Sequence, residues 1–255
     1  MRPWPARISS QGRHVKLIVS YDGTAYSGSQ RQKNVRTVQQ VLEEVLQKLL
    51  KEKVRLSFAG RTDAGVHAEG QAASFKVTSK LPLRKIQAGL NYYLPRDIAV
   101  TAIEEVSSSF HAQFSAERKI YEYHVFHSKI RSPLWRTHAY QFPFPLNLQK
   151  MKKAAQILTG KHDFRAFESS GGRRRDAVRR IFKCIVQKKG KHIYFTIESD
   201  GFLYKMVRSM VGTLLAVGSG KLDVSDVPKL LKSHNLVLAG PTVPAHALVL
   251  KRVVY

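Results

Sequence analysis

A single cysteine, Cys184, stands in 255 residues, so no intramolecular disulfide is available. It has no second cysteine or close histidine at zinc-ligand spacing, which leaves a structural thiol in a reducing compartment as the expectation. Acidic residues are also scarce, 18 Asp+Glu against 43 Lys+Arg, for a formal net charge of +25. That excess is beyond what solubility requires and points to a polyanionic partner, with nucleic acid first. No uninterrupted apolar run is long enough to span a bilayer and no basic amphipathic helix stands alone, which sets a membrane partner aside. The start, Met1-Arg2-Pro3-Trp4-Pro5-Ala6-Arg7, lacks the apolar core of a secretory signal, so a cytoplasmic location is expected. There is no Walker-type glycine loop and no dinucleotide fingerprint, which argues against nucleotide-triphosphate and redox chemistry and the cofactors they need.

What is present suffices for a sizeable core, since 43% of residues are hydrophobic. Residues 1–14, rich in Pro, Arg, Ser and Gly, read as a mobile basic extension, with folded structure beginning near Val15. Val15 to Tyr21 reads as a strand, broken by Asp22-Gly23-Thr24. Thr37 with Gln40 forms a capping-box pattern ahead of a helix with Val38, Leu42, Leu46 and Leu49 on one face. Strands are expected at Val54–Ala59 and Gln71–Val77, a helix over Leu83–Leu94 and an extended segment over Ile98–Val106. The second half repeats the order. It has a strand at Lys119–Phe126, a helix at Leu148–Leu158 closed by Gly160, strands at Arg180–Gln187 and Ile193–Ser199, and a largely buried helix from Phe202 to Val217. The fold class expected is α+β: two related strand-helix-strand-strand modules, 15–110 and 111–255, sharing one large, mostly antiparallel sheet covered by helices. A cleft between the modules is the natural place for an extended ligand.

Chemistry-bearing residues gather at a few points. Gly60-Arg61-Thr62-Asp63-Ala64-Gly65-Val66-His67-Ala68 sets a carboxylate beside an arginine in a glycine turn at a sheet end, and Asp63 is the candidate nucleophile. The bland alternative is a turn in which Thr62 and Asp63 bond their own backbone and Gly65 supplies a positive φ. Alternation in Ile120 to Phe126 puts Tyr121, Tyr123 and Val125 on one face, where ordinary strand packing is the plain reading. Arg208 lies next to an apolar stripe, so its charge calls for a carboxylate or phosphate partner or else snorkels to water. Between Arg173 and Lys191 there are nine Lys/Arg and one acid, Asp176, a density suited to phosphate contact that includes Arg173, Arg174 and Arg175. Asp63 and His67 could share a metal only with a third ligand, and none is close in sequence, so no metal is expected.

Together, Tyr21-Asp22-Gly23-Thr24, Gly60 to Ala68, Phe110 to Ala116, Tyr121-Glu122-Tyr123 and Phe202 to Gly212 resemble the TruA-type tRNA pseudouridine synthases, in order from about Val15 to Tyr255. The resemblance implies a cofactor-free isomerase that converts uridine to pseudouridine at positions 38 to 40 of the tRNA anticodon stem-loop, acting as a homodimer with tRNA across both subunits. It implies that Asp63 is the catalytic aspartate, Tyr121 the active-site tyrosine and Arg208 the arginine paired with Asp63. By the same resemblance Arg61 helps displace the target base and Leu248 packs against it. A uracil in a stem must leave its stack before any side chain reaches it, which suits such a pair. The chain departs from the family at Ser29, where tryptophan is usual, at Lys119 and Ile120, where basic residues are common, and at Ala247, where glycine is usual. These departures put packing near the first turn and the exact target positions in question. The rival readings are a non-catalytic RNA-binding protein and a metal-dependent nuclease, the latter needing a carboxylate cluster that the sequence around Asp63 lacks.

Overall fold

The computed structural model describes residues 12–169, 176–233 and 239–255. Alternation of buried and half-exposed positions makes Arg13–Tyr21 a strand, β1, and it begins two residues before Val15. The reason is tertiary: the Arg13 guanidinium donates to the Ser79 and Leu81 carbonyls, tying the strand's start to a distant segment of the chain. Residues 1–11 lie outside the described residues.

Helix α1, Val38–Leu50, buries Val38, Leu42 and Leu46, and the Thr37 hydroxyl accepts from Gln40 N at 3.3 Å. The expected capping box is only half formed, because the Gln40 amide turns to Glu44. A two-residue strand β2, Ser57–Phe58, pairs antiparallel with β3, His67–Val77, and the Asp63 loop joins them. Helix α2, Leu83–Tyr93, stops two residues before Pro95, and β4, Ile98–Val106, returns to pair with β1. The second half contributes β5 (Arg118–His127), β6 (Tyr140–Phe142), α3 (Leu148–Leu158), β7 (Gly160–Asp163), β8 (Val178–Lys189), β9 (His192–Ser199), α4 (Met206–Gly218) and α5 (Asp226–Ser233). Helix α4 starts at Met206 and not at Phe202, because Lys205 takes a left-handed conformation, φ 58°, and breaks the helical path.

With the final strand β10 (Leu248–Val254), one ten-stranded sheet results, in the order β4-β1-β3-β10-β5-β9-β8-β7, with β2 and β6 alongside β3 and β5. Strand β10 fills the seam between the halves. It runs parallel to β3, with Val249 opposite His67, and antiparallel to β5, with Leu248 opposite Tyr123. Every other pairing is antiparallel except β5 with β6. The core draws on one face of this sheet, Val15, Leu17, Val19, Tyr123 and Ile197, packed under the apolar sides of α1 and α4. No helix among the described residues is long and apolar enough to cross a membrane.

Candidate active site

The seam is where the site forms. Leaving β2, the chain turns through Asp63, whose carbonyl accepts from Val66 N at 3.1 Å, with Gly65 at φ +78° completing the turn. The turn lies directly on two backbone segments. A Cβ at Gly23 would sit 2.0 Å from the Val66 carbonyl oxygen, and one at Gly28, already at φ +94°, 2.7 Å from the Thr62 oxygen. Only glycine lets the chain on either side of the 3-10 turn Gly23–Ala25 approach this closely.

Thr62, the residue before Asp63, is held at three atoms. Its N–H donates to the Ser29 hydroxyl at 2.8 Å, its carbonyl accepts from Ser29 N at 3.2 Å, and its hydroxyl shares a 2.8 Å hydrogen bond with the Tyr21 hydroxyl. Ser29 is fully buried and its own carbonyl accepts from Gln39 N in the first turn of α1. Through these bonds the serine ties the aspartate loop to α1. Gln71 Nε2 donates to the Gly60 carbonyl at 2.9 Å and fixes the other end of the loop. Burial pushes the Tyr21 hydroxyl up to about 12, against the lowering effect of Thr62.

Asp63 meets Arg208 from the first turns of α4. Arg208 Nη1 donates to Asp63 Oδ2 at 2.9 Å across 145 residues of sequence, while Arg208 Nε donates to the Val243 carbonyl at 2.7 Å. With side chains 14% and 24% exposed, the pair is shielded yet open enough to be reached. The guanidinium finds a carboxylate and does not snorkel. Tyr121 lies buried on β5 with its ring edge-on to Phe202 at 5.1 Å. Burial first, then Tyr21 and the Asp63 charge, push its hydroxyl far above the ordinary tyrosine range. Leu248 is buried opposite Tyr123, and Arg61 is exposed, with no ion pair among the described residues.

Asp63 on β3's leading loop is thus paired with Arg208 on α4 and lies near enough to Tyr121 on β5 for its charge to act on that hydroxyl, while Leu248 is buried on β10 and Arg61 is exposed. Arg173, Arg174 and Arg175 lie outside the described residues. Most of the rest of that basic stretch is strand β8, and part of its charge is already committed: Lys183 lies 3.2 Å from Glu198, and Arg179 is buried.

His67 points elsewhere than toward Asp63. With Asp22 and His138 it offers three ligand atoms within 4.8 Å of one another, a gathering of distant residues that local sequence did not reveal. Both ring nitrogens of His67 are engaged, however. Nδ1 accepts from Gly23 N at 3.0 Å, and Nε2 faces the Thr137 and His246 carbonyls at 2.8 and 2.9 Å. A metal there would have to displace the Gly23 N–H, so this donor set fits a structural staple better than a metal centre. The sequence marked Tyr21 only as part of the Tyr-Asp-Gly-Thr motif and Ser29 only as a departure from the family, and it gave no signal for the hydrogen bonds of either or for the Val243 carbonyl.

A sequence profile of the family described as tRNA pseudouridine synthase matches residues 17–115 and 154–255. Curated relatives called tRNA pseudouridine synthase A include one from Thermoanaerobacter sp. (strain X514), 44% identical over 95% of this chain and 100% of its own length. Others come from Geotalea daltonii, 45% identical over 95% of this chain and 100% of its own, and Streptococcus mutans, 42% identical over 94% and 98%. A chain in a solved Cbf5-Nop10-Gar1 complex is similar at 15% identity and a TM-score of 0.33, covering 85% of this chain and 57% of that one, too distant to carry an argument. With near-full-length relatives at this identity and a profile match over most of its length, the chain belongs to the tRNA pseudouridine synthase family, isomerases that act on uridine in tRNA.

Proposed function

We propose that this chain isomerises uridine to pseudouridine at positions 38 to 40 of the tRNA anticodon stem-loop, with Asp63 as the nucleophile. The observation that carries the reading is the Asp63–Arg208 ion pair, a carboxylate oriented by a guanidinium at the seam of a strongly basic protein. Arg61, exposed at the rim, enters the stem and Leu248 backs the space that the base leaves. The Asp63 carboxylate attacks either C6 of the uracil or C1′ of its ribose, and the N1–C1′ bond breaks. The base turns, C5 bonds to C1′, and the C5 proton departs as the aspartate is released. Atoms balance without an external oxidant or reductant, in keeping with a reaction that needs no cofactor.

Because burial keeps the Tyr121 hydroxyl protonated, Tyr121 offers its ring face and an O–H donor, and the freed Asp63 carboxylate is the base in reach for the C5 proton. Arg173, Arg174 and Arg175 contact the phosphate backbone, and a homodimer working in the cytoplasm carries the tRNA across both subunits. Mapping pseudouridine in tRNA transcripts with a uridine at only one of positions 38, 39 and 40 tests the target. Modification at these positions supports it, whereas modification confined to another arm defeats it. Binding of tRNA with no isomerisation would favour the non-catalytic reading.

A further inference from the structure

From residue 239 to Leu248 the chain crosses α4 as an irregular strap that ends in the 3-10 turn Ala245–Ala247. Three of its carbonyls face side chains from three different elements. Val243 O accepts from Arg208 Nε on α4 at 2.7 Å, Pro244 O accepts from the Tyr123 hydroxyl on β5 at 2.9 Å, and His246 O faces His67 Nε2 on β3 at 2.9 Å. Ala245 lies against Gly65 in the aspartate turn.

What sets the strap's height is backbone-to-backbone contact. A Cβ on Gly212 would fall 1.8 Å from the Pro241 oxygen, and one on Gly240 would fall 2.4 Å from the Gly212 oxygen. Gly240 N donates to the Thr213 hydroxyl at 3.0 Å, and that hydroxyl bonds back to the Ser209 carbonyl of its own helix. The strap is therefore fixed to the same helix that carries Arg208, one turn beyond it.

We propose that this strap is a positioning element for the isomerisation. Gly212, Gly240 and Thr213 hold the Val243 carbonyl where it orients the Arg208 guanidinium on Asp63. Nε on one carbonyl and Nη1 on the carboxylate fix the planar group at two points. If the strap lifts, the guanidinium keeps its charge but loses its aim. The inference rests on the reading that Arg208 serves Asp63 in catalysis.

The experiment measures single-turnover isomerisation at saturating tRNA, tRNA affinity and melting temperature. Gly212→Ala and Thr213→Val are each made in the wild type and in Arg208→Lys, whose ammonium has no Nε to place on Val243. Gly212→Ala is expected to slow the reaction about 100-fold, the scale of a 1 Å misplacement, with tRNA affinity unchanged. Thr213→Val, which removes the Gly240 acceptor together with the hydroxyl's bond to the Ser209 carbonyl inside its own helix, should slow it by about tenfold, at the upper end for the one hydrogen bond that reaches the strap. In the Arg208→Lys background both should add less than about twofold, because coupled changes are not additive. The same fold-losses in both backgrounds would show that the strap merely supports the fold and would overturn the proposal. So would full activity of Thr213→Val, a variant of conserved shape that answers the question if Gly212→Ala does not fold. Arg208→Lys alone at the wild-type rate would sink the catalytic reading itself, an outcome visible before any strap variant is made.

Discussion

Ser29→Ala is the smallest change that loosens the aspartate loop without touching a reacting group. In the wild type the Ser29 hydroxyl accepts the Thr62 N–H at 2.8 Å in a site where Ser29 is fully buried and Thr62 nearly so. Alanine leaves that N–H without an acceptor, and a buried donor left unmade costs about 1–3 kcal/mol. At roughly 2–4 °C per kcal/mol for a domain of this size class, a loss near 2 kcal/mol lowers the melting temperature by about 4–8 °C. The return bond from Ser29 N to the Thr62 carbonyl survives, as does the Thr62–Tyr21 hydroxyl contact, so the loop sags and does not detach. Single-turnover isomerisation should fall by about tenfold with tRNA affinity unchanged, because phosphate contacts and not Asp63 supply the binding. Thermal unfolding and a rate measured well below the melting temperature read the two effects separately. Melting within about 1 °C of wild type, together with an undiminished rate, would refute the claim that Ser29 holds this loop.

Three further outcomes follow from the same structure. Ser29→Trp should destabilise by about 1–3 kcal/mol or more, since no space exists at a fully buried serine; a more stable tryptophan variant would contradict the packing described. His124, stacked on Tyr194 at 4.7 Å and 2.7 Å from His192, is pushed down to about 4 by burial first and by His192 second. Its folded form resists protonation while the unfolded chain accepts the proton near the ordinary value, so stability should decline as pH falls from about 6.5 toward about 4, and His124→Phe should flatten that decline in melting curves. Replacing Arg173, Arg174 and Arg175 together with alanine should weaken tRNA binding and reduce the slope of log affinity against log salt by up to about 2–3, whereas an unchanged slope would move the phosphate contacts elsewhere.

Elements flanked by clear boundary signals were the most legible part of the sequence. Helix Leu148–Leu158 and strand Ile98–Val106 fall where periodicity and turn signals put them, because Asn147 and Gly160 mark α3 and Pro95 separates α2 from β4. The strand β10 was not legible. Leu248 to Val254 follows a Pro- and His-containing stretch, and nothing local says that it inserts between β3 and β5, since parallel pairing across 182 residues leaves no short-range trace. Val54–Ala59 reads as a full strand from its branched residues, yet only Ser57 and Phe58 pair. Within the site, Arg208 could be singled out because a cation beside an apolar stripe needs a partner, and Asp63 because carboxylates are scarce. The strap and the Ser29 bridge could not be read, because both work through backbone atoms whose partners lie far away in the chain.

The central claim is that Asp63 performs the chemistry, and tritium release from C5-labelled uridine in unmodified tRNA tests it most directly. Wild type and Asp63→Asn are compared at equal tRNA occupancy, without added metal or cofactor. The account predicts stoichiometric release by the wild type and none above background by Asp63→Asn, with tRNA affinity and melting behaviour retained. Substantial turnover by Asp63→Asn would contradict it, and so would a wild type that binds this tRNA and releases nothing.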